Sequence, residues 1–508
     1  MPESKTPTGL ESISASVVSE ADPLRFAVVR RIACLVGLCF ASLVASALAE
    51  AGTFTKKETA IQMSDGALLA TSLFIPDGAP PAAGWPAAML FHGLGGTRES
   101  MNEIAEGFLA NEGYAVLTFD ARAHGASSGL FSADGPRELE DVRTLLDWLG
   151  GRSDIDRAHI GAVGFSLGGG AVWRAAVEGL PFAAIVPVIT WTDLYEALIP
   201  QDLAKSGAVY QFLQAVPPER SAPAVNGIRQ ASLTSTDLPA LRGFAEERSS
   251  RRALDRVRAP VFMLQGRRDF AFDIAQAASA FGALRVPKRL YLGDLGHAPA
   301  PNPTAERPYF RTQIRLWLDR FLKGIPNGID TRPPVELAPD PWTGKTFEYA
   351  SLPRARTLTL SFTGTSTIGA RGKVVRTKPL PRRLLETFGG GSVTTTASSA
   401  SGWPHIVAVV SALTPDGREI VVTQGGAKTA RLGAKARAVT IRLLSQATLI
   451  PAGSRLRLTL APASTAQNPG NLLYLDIGVP PSARVRLGKA TVKLSLLETP
   501  VSGARYPS

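Results

Sequence analysis

The stretch Gly164-Phe165-Ser166-Leu167-Gly168-Gly169-Gly170 follows an apolar run, Ile160-Gly161-Ala162-Val163, and precedes a helical run over 171–178. Strand, G-x-S-x-G and helix in that order are the setting of a nucleophile elbow. The chain must turn so sharply there that the residues two before and two after the serine come together, and only glycine leaves room. Such a turn lifts the Ser166 hydroxyl above the sheet edge. It also sets the hydroxyl at the N-terminus of the next helix, where free N–H groups and the helix dipole favour developing negative charge.

Strands and helices alternate on both sides of this turn. Upstream, 53–63 and 67–75 flank Ser64-Asp65-Gly66 and read as an antiparallel pair. Residues 87–91 read as a buried strand that delivers His92-Gly93-Leu94-Gly95-Gly96, a loop suited to presenting backbone N–H groups. A further strand over 114–119 ends in Asp120-Ala121-Arg122-Ala123-His124-Gly125. Downstream, 182–189, 259–264 and 288–292 read as strands, while 101–112, 139–149, 272–284 and 309–322 read as helices. The alternation predicts an α/β class: a doubly wound, mostly parallel sheet with helices on both faces and its chemistry at the carboxyl ends of the strands.

Residues 191–252 break the rhythm with short helical patterns over 194–198, 209–216 and 238–247, separated by prolines. They predict a helical cap over the site. Trp191 and Tyr195, with Tyr210 and Phe212, are candidates for lining an apolar substrate cleft. Residues 325–340 are rich in Pro, Asp and Gly and read as a linker. Beyond it, strand-like segments at 357–362, 406–413, 419–423, 438–444, 455–460, 472–477 and 490–497 are separated by turns such as Pro415-Asp416-Gly417. They predict an all-β sandwich or jelly roll.

The chain has 508 residues, enough for two or three domains. Arg30 and Arg31 precede an apolar run over 32–48 that ends in Ala47-Leu48-Ala49. This predicts a signal peptide over 1–49, cleaved before Glu50, and a secreted or periplasmic protein. The expected divisions are therefore a catalytic domain over 50–324, the linker over 325–340 and a β-domain over 341–508. The two cysteines, Cys34 and Cys39, both fall in the leader, so the mature chain would hold no disulfide, no thiol nucleophile and no cysteine metal site. The net charge of +12 is uneven: residues 331–508 carry 23 Lys and Arg against 8 Asp and Glu. A solvated surface accounts for most of this. Its functional counterpart is weak association with an anionic envelope. No tight basic run with interleaved aromatics points to nucleic acid.

A serine hydroxyl needs a base to take its proton. Of His92, His124, His159, His297 and His405, only His297 follows the last strand on a glycine-flanked loop, as a general base should. The acid belongs between serine and base, after the preceding strand. Asp269 fits, with Asp273 in reserve. The chain order is then Ser166, Asp269, His297. The tetrahedral oxyanion needs two donors, and the N–H groups of Leu167 and Leu94 are the candidates. Two functions follow: an acyl hydrolase acting on a small ester or a short peptide, or a non-catalytic envelope-binding protein that uses the basic β-domain. The complete set of Ser166, Asp269, His297 and the glycine loop favours the first.

With those residues in place, 53–322 resembles an α/β-hydrolase. The elbow, Gly293-Asp294-Leu295-Gly296-His297 and the 247–260 approach to the acid strand resemble the Xaa-Pro dipeptidyl-peptidase (S15)/cocaine-esterase-like hydrolases. In the β-domain, Leu413-Thr414-Pro415-Asp416-Gly417 and the segment 447–458, which contains Ala452-Gly453-Ser454-Arg455-Leu456-Arg457-Leu458, extend the likeness to that family's C-terminal jelly roll. The resemblance implies a serine hydrolase of dipeptidyl-peptidase or carboxylesterase type, with no cofactor or metal. It also implies a tyrosine hydroxyl as one oxyanion donor. Here that place reads Phe91-His92-Gly93-Leu94-Gly95, a backbone donor instead, and no acidic anchor for a substrate amino terminus is identifiable.

Overall fold

A computed structural model describes residues 53–297, 300, 302–429, 432–464 and 473–503. The expected leader and both cysteines lie outside them. The described residues fall in one compact unit.

Ten strands form the large sheet: β1 (Phe54–Gln62), β2 (Leu68–Pro76), β3 (Trp85–Phe91), β4 (Ala115–Phe119), β5 (Ile155–Phe165), β6 (Ala184–Val188), β7 (Val261–Gly266), β8 (Lys288–Gly293), β9 (Val335–Leu337) and β10 (Phe347–Tyr349). Their order is β1-β2-β4-β3-β5-β6-β7-β8-β9-β10. From β4 to β9 every pairing is parallel, and both edges are antiparallel. The central strands are apolar throughout because both of their faces are covered. Helices Pro136–Gly150, Leu167–Val177 and Ile274–Ala283 close one face. The helix Arg307–Leu322 and the irregular helical segment after Arg98 close the other. The order reverses at β3, where the connection after β3 leads back to β4 and that after β4 leads forward to β5. A crevice opens above the carboxyl ends of such strands.

Residues 325–340 are more than a linker. Within them Val335–Leu337 adds β9 to the sheet beside β8, and Phe347–Tyr349 adds an edge strand from the segment expected to open the β-domain.

The cap holds four helices: Leu194–Leu198, Ser206–Ala215, Pro223–Thr234 and Leu238–Glu246. Asp193 and Asp237 cap the first and last by accepting from the Glu196 and Ala240 N–H groups. The rest of the chain is a β-sandwich. One sheet orders Ala355–Phe362, Arg484–Leu497, Leu385–Ser398 and Arg437–Leu443. The other orders Val374–Pro379, Arg455–Ala461, His405–Leu413 and Glu419–Lys428. Their inward residues, among them Val393, Ile441, Val410 and Leu458, form one core.

Candidate active site

The elbow forms as its glycines require. Ser166 ends β5 and precedes the helix Leu167–Val177 with φ 52° and ψ −111°, a conformation that costs a non-glycine residue of order 1–3 kcal/mol. A Cβ on Gly164 would collide with the Gly168 carbonyl, and one on Gly168 with the Phe91 carbonyl. The strained serine is held by its own backbone. Its N–H donates to Val188 O at 2.9 Å, and its carbonyl accepts from the Gly170 N–H at 3.1 Å and from the Thr190 hydroxyl at 2.7 Å.

β8 leads into the loop that carries His297, and β7 into the loop that carries Asp269. Ser166 Oγ lies 2.9 Å from His297 Nε2, and His297 Nδ1 lies 2.6 Å from Asp269 Oδ2. Asp269 is fully buried and accepts three further bonds. The Ala271 and Phe272 N–H groups reach Oδ1 at 2.8 and 2.9 Å, and Gln265 Nε2 reaches Oδ2 at 3.2 Å. The His297 and Phe272 rings meet edge to face with centroids 4.9 Å apart, so an apolar wall backs the imidazole.

The structure separates the reserve acid from this row. Asp273 caps the helix Ile274–Ala283 through the Ala275 N–H and accepts from the Ser445 N–H at 2.8 Å. Burial pushes its carboxyl pKa up. Asp294 turns to Arg268 at 2.7 Å.

Leu94 and Leu167 both stand beside Ser166 on the wall of one cavity. Leu167 is the first residue of its helix, so its N–H is one of those a helix leaves free. The loop bearing Leu94 is built by His92, whose Nδ1–H donates to Gly93 O at 2.7 Å and whose Nε2 accepts the Ala121 N–H at 2.9 Å. Burial pushes the His92 pKa down to about 4, so the ring is neutral and fixed in that tautomer at ordinary pH. His124 is also buried, with Nδ1 donating to Arg122 O at 2.8 Å. His159 pairs with Asp156, and His405 donates to Pro462 O.

The cavity beside Ser166 measures about 900 Å³ with its mouth and runs from the elbow up into the cap. Trp191 lines it, as expected, and its indole N–H is already donated to Arg248 O at 2.9 Å. Phe212 lines it too. Tyr195 does not: its hydroxyl donates to Asp202 at 2.8 Å and its ring stacks under Arg242, so it serves the cap's own packing. Tyr210 points to solvent. The other walls include Leu194, Leu198, Val225, Ile228, Phe244 and Phe272. Apart from Ser166, Ser232 and that indole, every lining side chain is a hydrocarbon, and among the described residues no charged one lines it. Sequence reasoning missed Thr190, Phe272 and most of these walls. Their apolar residues look like any core, and only the fold decides which of them face a void.

The model of the family described as X-Pro dipeptidyl-peptidase (S15 family) matches residues 65–299. Over these residues the chain is similar to the S15/cocaine-esterase-like hydrolases. This hydrolase is 28% identical over 258 residues to a putative Xaa-Pro dipeptidyl-peptidase of Bacillus anthracis, across 44% of this chain and 41% of that protein. It is 24% identical over 337 residues to one of Streptomyces avermitilis, across 59% of this chain and 48% of that protein. It thus spans under half the length of the curated relatives it matches. A CocE/NonD family hydrolase from Staphylococcus aureus superposes with a TM-score of 0.69 at 14% identity, covering 87% of this chain and 94% of that one. An alpha-amino acid ester hydrolase superposes with a TM-score of 0.65 at 15% identity, covering 89% and 98%. At such identities the likeness is one of fold. In this S15-like hydrolase the fold carries over both the α/β core and the appended β-sandwich.

Proposed function

We propose that this hydrolase cleaves carboxylic esters with apolar acyl groups through a Ser166-Asp269-His297 triad. His297 Nε2 takes the Ser166 proton as Oγ attacks the carbonyl carbon. The Leu167 and Leu94 N–H groups receive the oxyanion. His297 then gives its proton to the leaving alcohol, and water releases the acyl group by the same steps in reverse order. Asp269 holds the imidazole in the tautomer that presents Nε2 as a base.

The hydrocarbon wall of the cavity is the observation that carries the ester reading. A dipeptide would bring its ammonium group into that wall, and an unpaired charge in such surroundings is strongly disfavoured. An acyl chain loses nothing there and gains about 0.8 kcal/mol for each methylene buried. The second reading, an Xaa-Pro dipeptidyl-peptidase, draws support from the family model.

Turnover of p-nitrophenyl esters from two to twelve carbons, set against Gly-Pro p-nitroanilide, separates the two. The expected result is ester hydrolysis that rises with chain length, negligible anilide cleavage, and loss of activity by about 10⁴-fold or more in Ser166→Ala. Anilide turnover matching the best ester would establish the peptidase instead. Ester turnover surviving in Ser166→Ala would remove the triad.

We place the enzyme outside the cytoplasm on the leader expected over 1–49. N-terminal sequencing of the natively expressed protein should begin at Glu50. A cytosolic chain that retains residue 30 would overturn this. The basic β-domain would then hold the enzyme weakly to anionic envelope, an association that salt releases and that salt-independent retention would contradict.

A further inference from the structure

The acid loop is gripped from behind by a residue that the proposed mechanism does not use. Lys205 sits in the cap, just before the helix Ser206–Ala215, and is almost wholly buried. Its Nζ donates to Phe270 O at 2.8 Å and to Ala271 O at 3.0 Å. The N–H groups of those same two peptide units belong to Ala271 and Phe272. They donate to Asp269 Oδ1 at 2.8 and 2.9 Å. Each peptide plane therefore carries an ammonium at its carbonyl end and the acid's carboxylate at its amide end. Two planes side by side bridge one cation to one anion.

Hydrogen bonds in series polarise and strengthen one another in a low-dielectric interior. The cation draws on the carbonyls and makes the N–H groups on the far side better donors to the carboxylate. The two donors fix Oδ1, and that fixes where Oδ2 points, which is at His297 Nδ1, 2.6 Å away. Burying an ammonium is costly, and an apolar side chain would fill the same space without that cost. The structure instead spends a lysine whose direct partners are two carbonyls rather than a carboxylate. Asp273, Asp269 and Glu196 offset the burial only in part, and burial holds the ammonium pKa below its usual value.

We propose that Lys205 is a positioning residue for the triad acid: acting from the cap, it locks the two peptide units that orient Asp269, so that seating the cap and aligning His297 are one event. The inference rests on the Ser166-Asp269-His297 reading. It goes beyond that reading by making the cap part of the catalytic alignment as well as the wall of the acyl cavity.

The test is steady-state kinetics of Lys205→Met on the best p-nitrophenyl ester, with Ser166→Ala alongside and melting temperature as the control on folding. The expected result is a fall in kcat of about ten- to a hundred-fold with KM within about two-fold. That is part of the about 10⁴-fold that replacing a triad acid costs. Lys205→Gln retains a donor but no charge, and its kcat should lie between wild type and Met. A folded Lys205→Met with wild-type kcat overturns the proposal, as does a loss that appears in KM alone. If the Met variant does not fold, the Gln variant carries the same test. Failure of both to fold would assign Lys205 to cap packing and also overturn it. Activity surviving in Ser166→Ala would instead strike down the triad, so the two failures are told apart.

Discussion

The proposed nucleophile, Ser166, and the proposed acid, Asp269, are held in opposite ways. Everything that shapes Ser166 lies within the sheet and its next helix: the glycines at 164 and 168, the Val188 carbonyl and the Thr190 hydroxyl. The base is also held close to home. Asn302 exchanges two hydrogen bonds with Gly296, and Glu306 takes the Asp294 N–H at 3.0 Å. The acid loop has local supports too, in Gln265, which donates to Phe272 O and Asp269, and in the Arg268 N–H to Leu295 O, but two other regions also reach it. The cap reaches it through Lys205. The β-sandwich reaches it through Ser445, whose N–H and carbonyl pair with Asp273 and Ile274, and through Gln446, which donates to Arg268 O at 3.1 Å. A nucleophile built by short-range geometry is present whenever the sheet folds. An acid held by two other regions is in place only when both are docked.

The sharpest way to break this comparison is at the acid itself. Asp269→Asn should lower kcat by about 10⁴-fold, because an amide leaves the imidazole in the wrong tautomer. Asp273→Asn should leave kcat within about ten-fold, because its carboxylate fastens the loop without touching His297. Steady-state kinetics of both variants on one ester checks this. A larger loss at Asp273 would reverse the assignment.

The next test is at the joint between catalytic sheet and sandwich. Arg267 and Glu386 form an ion pair with no exposed surface on either side chain. Arg267 also donates to Ala447 O at 3.0 Å, and Glu386 accepts the Val501 and Ser502 N–H groups at 2.6 and 2.9 Å. Arg267→Met leaves the carboxylate buried without its cation and should destabilise the fold by about 3–5 kcal/mol. Arg267 lies two residues before Asp269, so the acid should feel the change before the nucleophile does. At temperatures below unfolding, kcat on the ester should fall while KM stays within about two-fold. Chemical denaturation and steady-state kinetics read the two effects, and a destabilised variant with wild-type kcat would contradict a link between this joint and the acid.

The same division governs what the sequence made legible. Ser166, His297 and Asp269 stand out because each follows a strand end and carries glycines or turn residues within a few positions. Lys205 gives no such sign. It is one lysine among prolines and short helices, and its partners are 65 and 66 residues away. Helix Pro223–Thr234 was hidden for a related reason: a proline read as an interruption serves as its first residue, where the missing N–H costs nothing. In the sandwich the strand Leu385–Ser398 was missed because Gly389-Gly390-Gly391 looks like a break. The strand instead bulges there. Gly389 takes φ 93°, the register shifts between Thr387 and Gly391, and a Cβ on Gly391 would press on the Lys493 backbone. The strand expected at 472–477 lies partly outside the described residues, and 473–477 forms none. Local steric demands write themselves into neighbouring residues, whereas long-range docking needs only one suitable side chain at each end.

The smallest effect concerns the base loop, and its sign follows from one carboxyl. Glu306 Oε1 accepts the Tyr291 hydroxyl at 2.6 Å and the Asp294 N–H at 3.0 Å beneath the loop that ends in His297. Burial pushes its pKa up from 4.5 to about 7. An unfolded chain releases this proton near pH 4.3, while the folded one keeps it to about 7. Between those values the folded state binds more protons, so this group's contribution to stability is complete below about pH 4, declines as pH rises to about 7, and is level above that. Glu306→Gln keeps an acceptor for the same two donors and has no proton to lose. Its melting temperature should therefore fall less than that of the wild type between pH 5 and pH 8, by a few degrees, with kcat nearly unchanged at pH 7. Thermal unfolding of both proteins at the two pH values measures this. Parallel falls would mean that Glu306 ionises as readily in the folded chain as in the unfolded one. The base loop would then owe its place to Asn302 and the sheet alone, which would make it a still more local structure than the acid loop it faces.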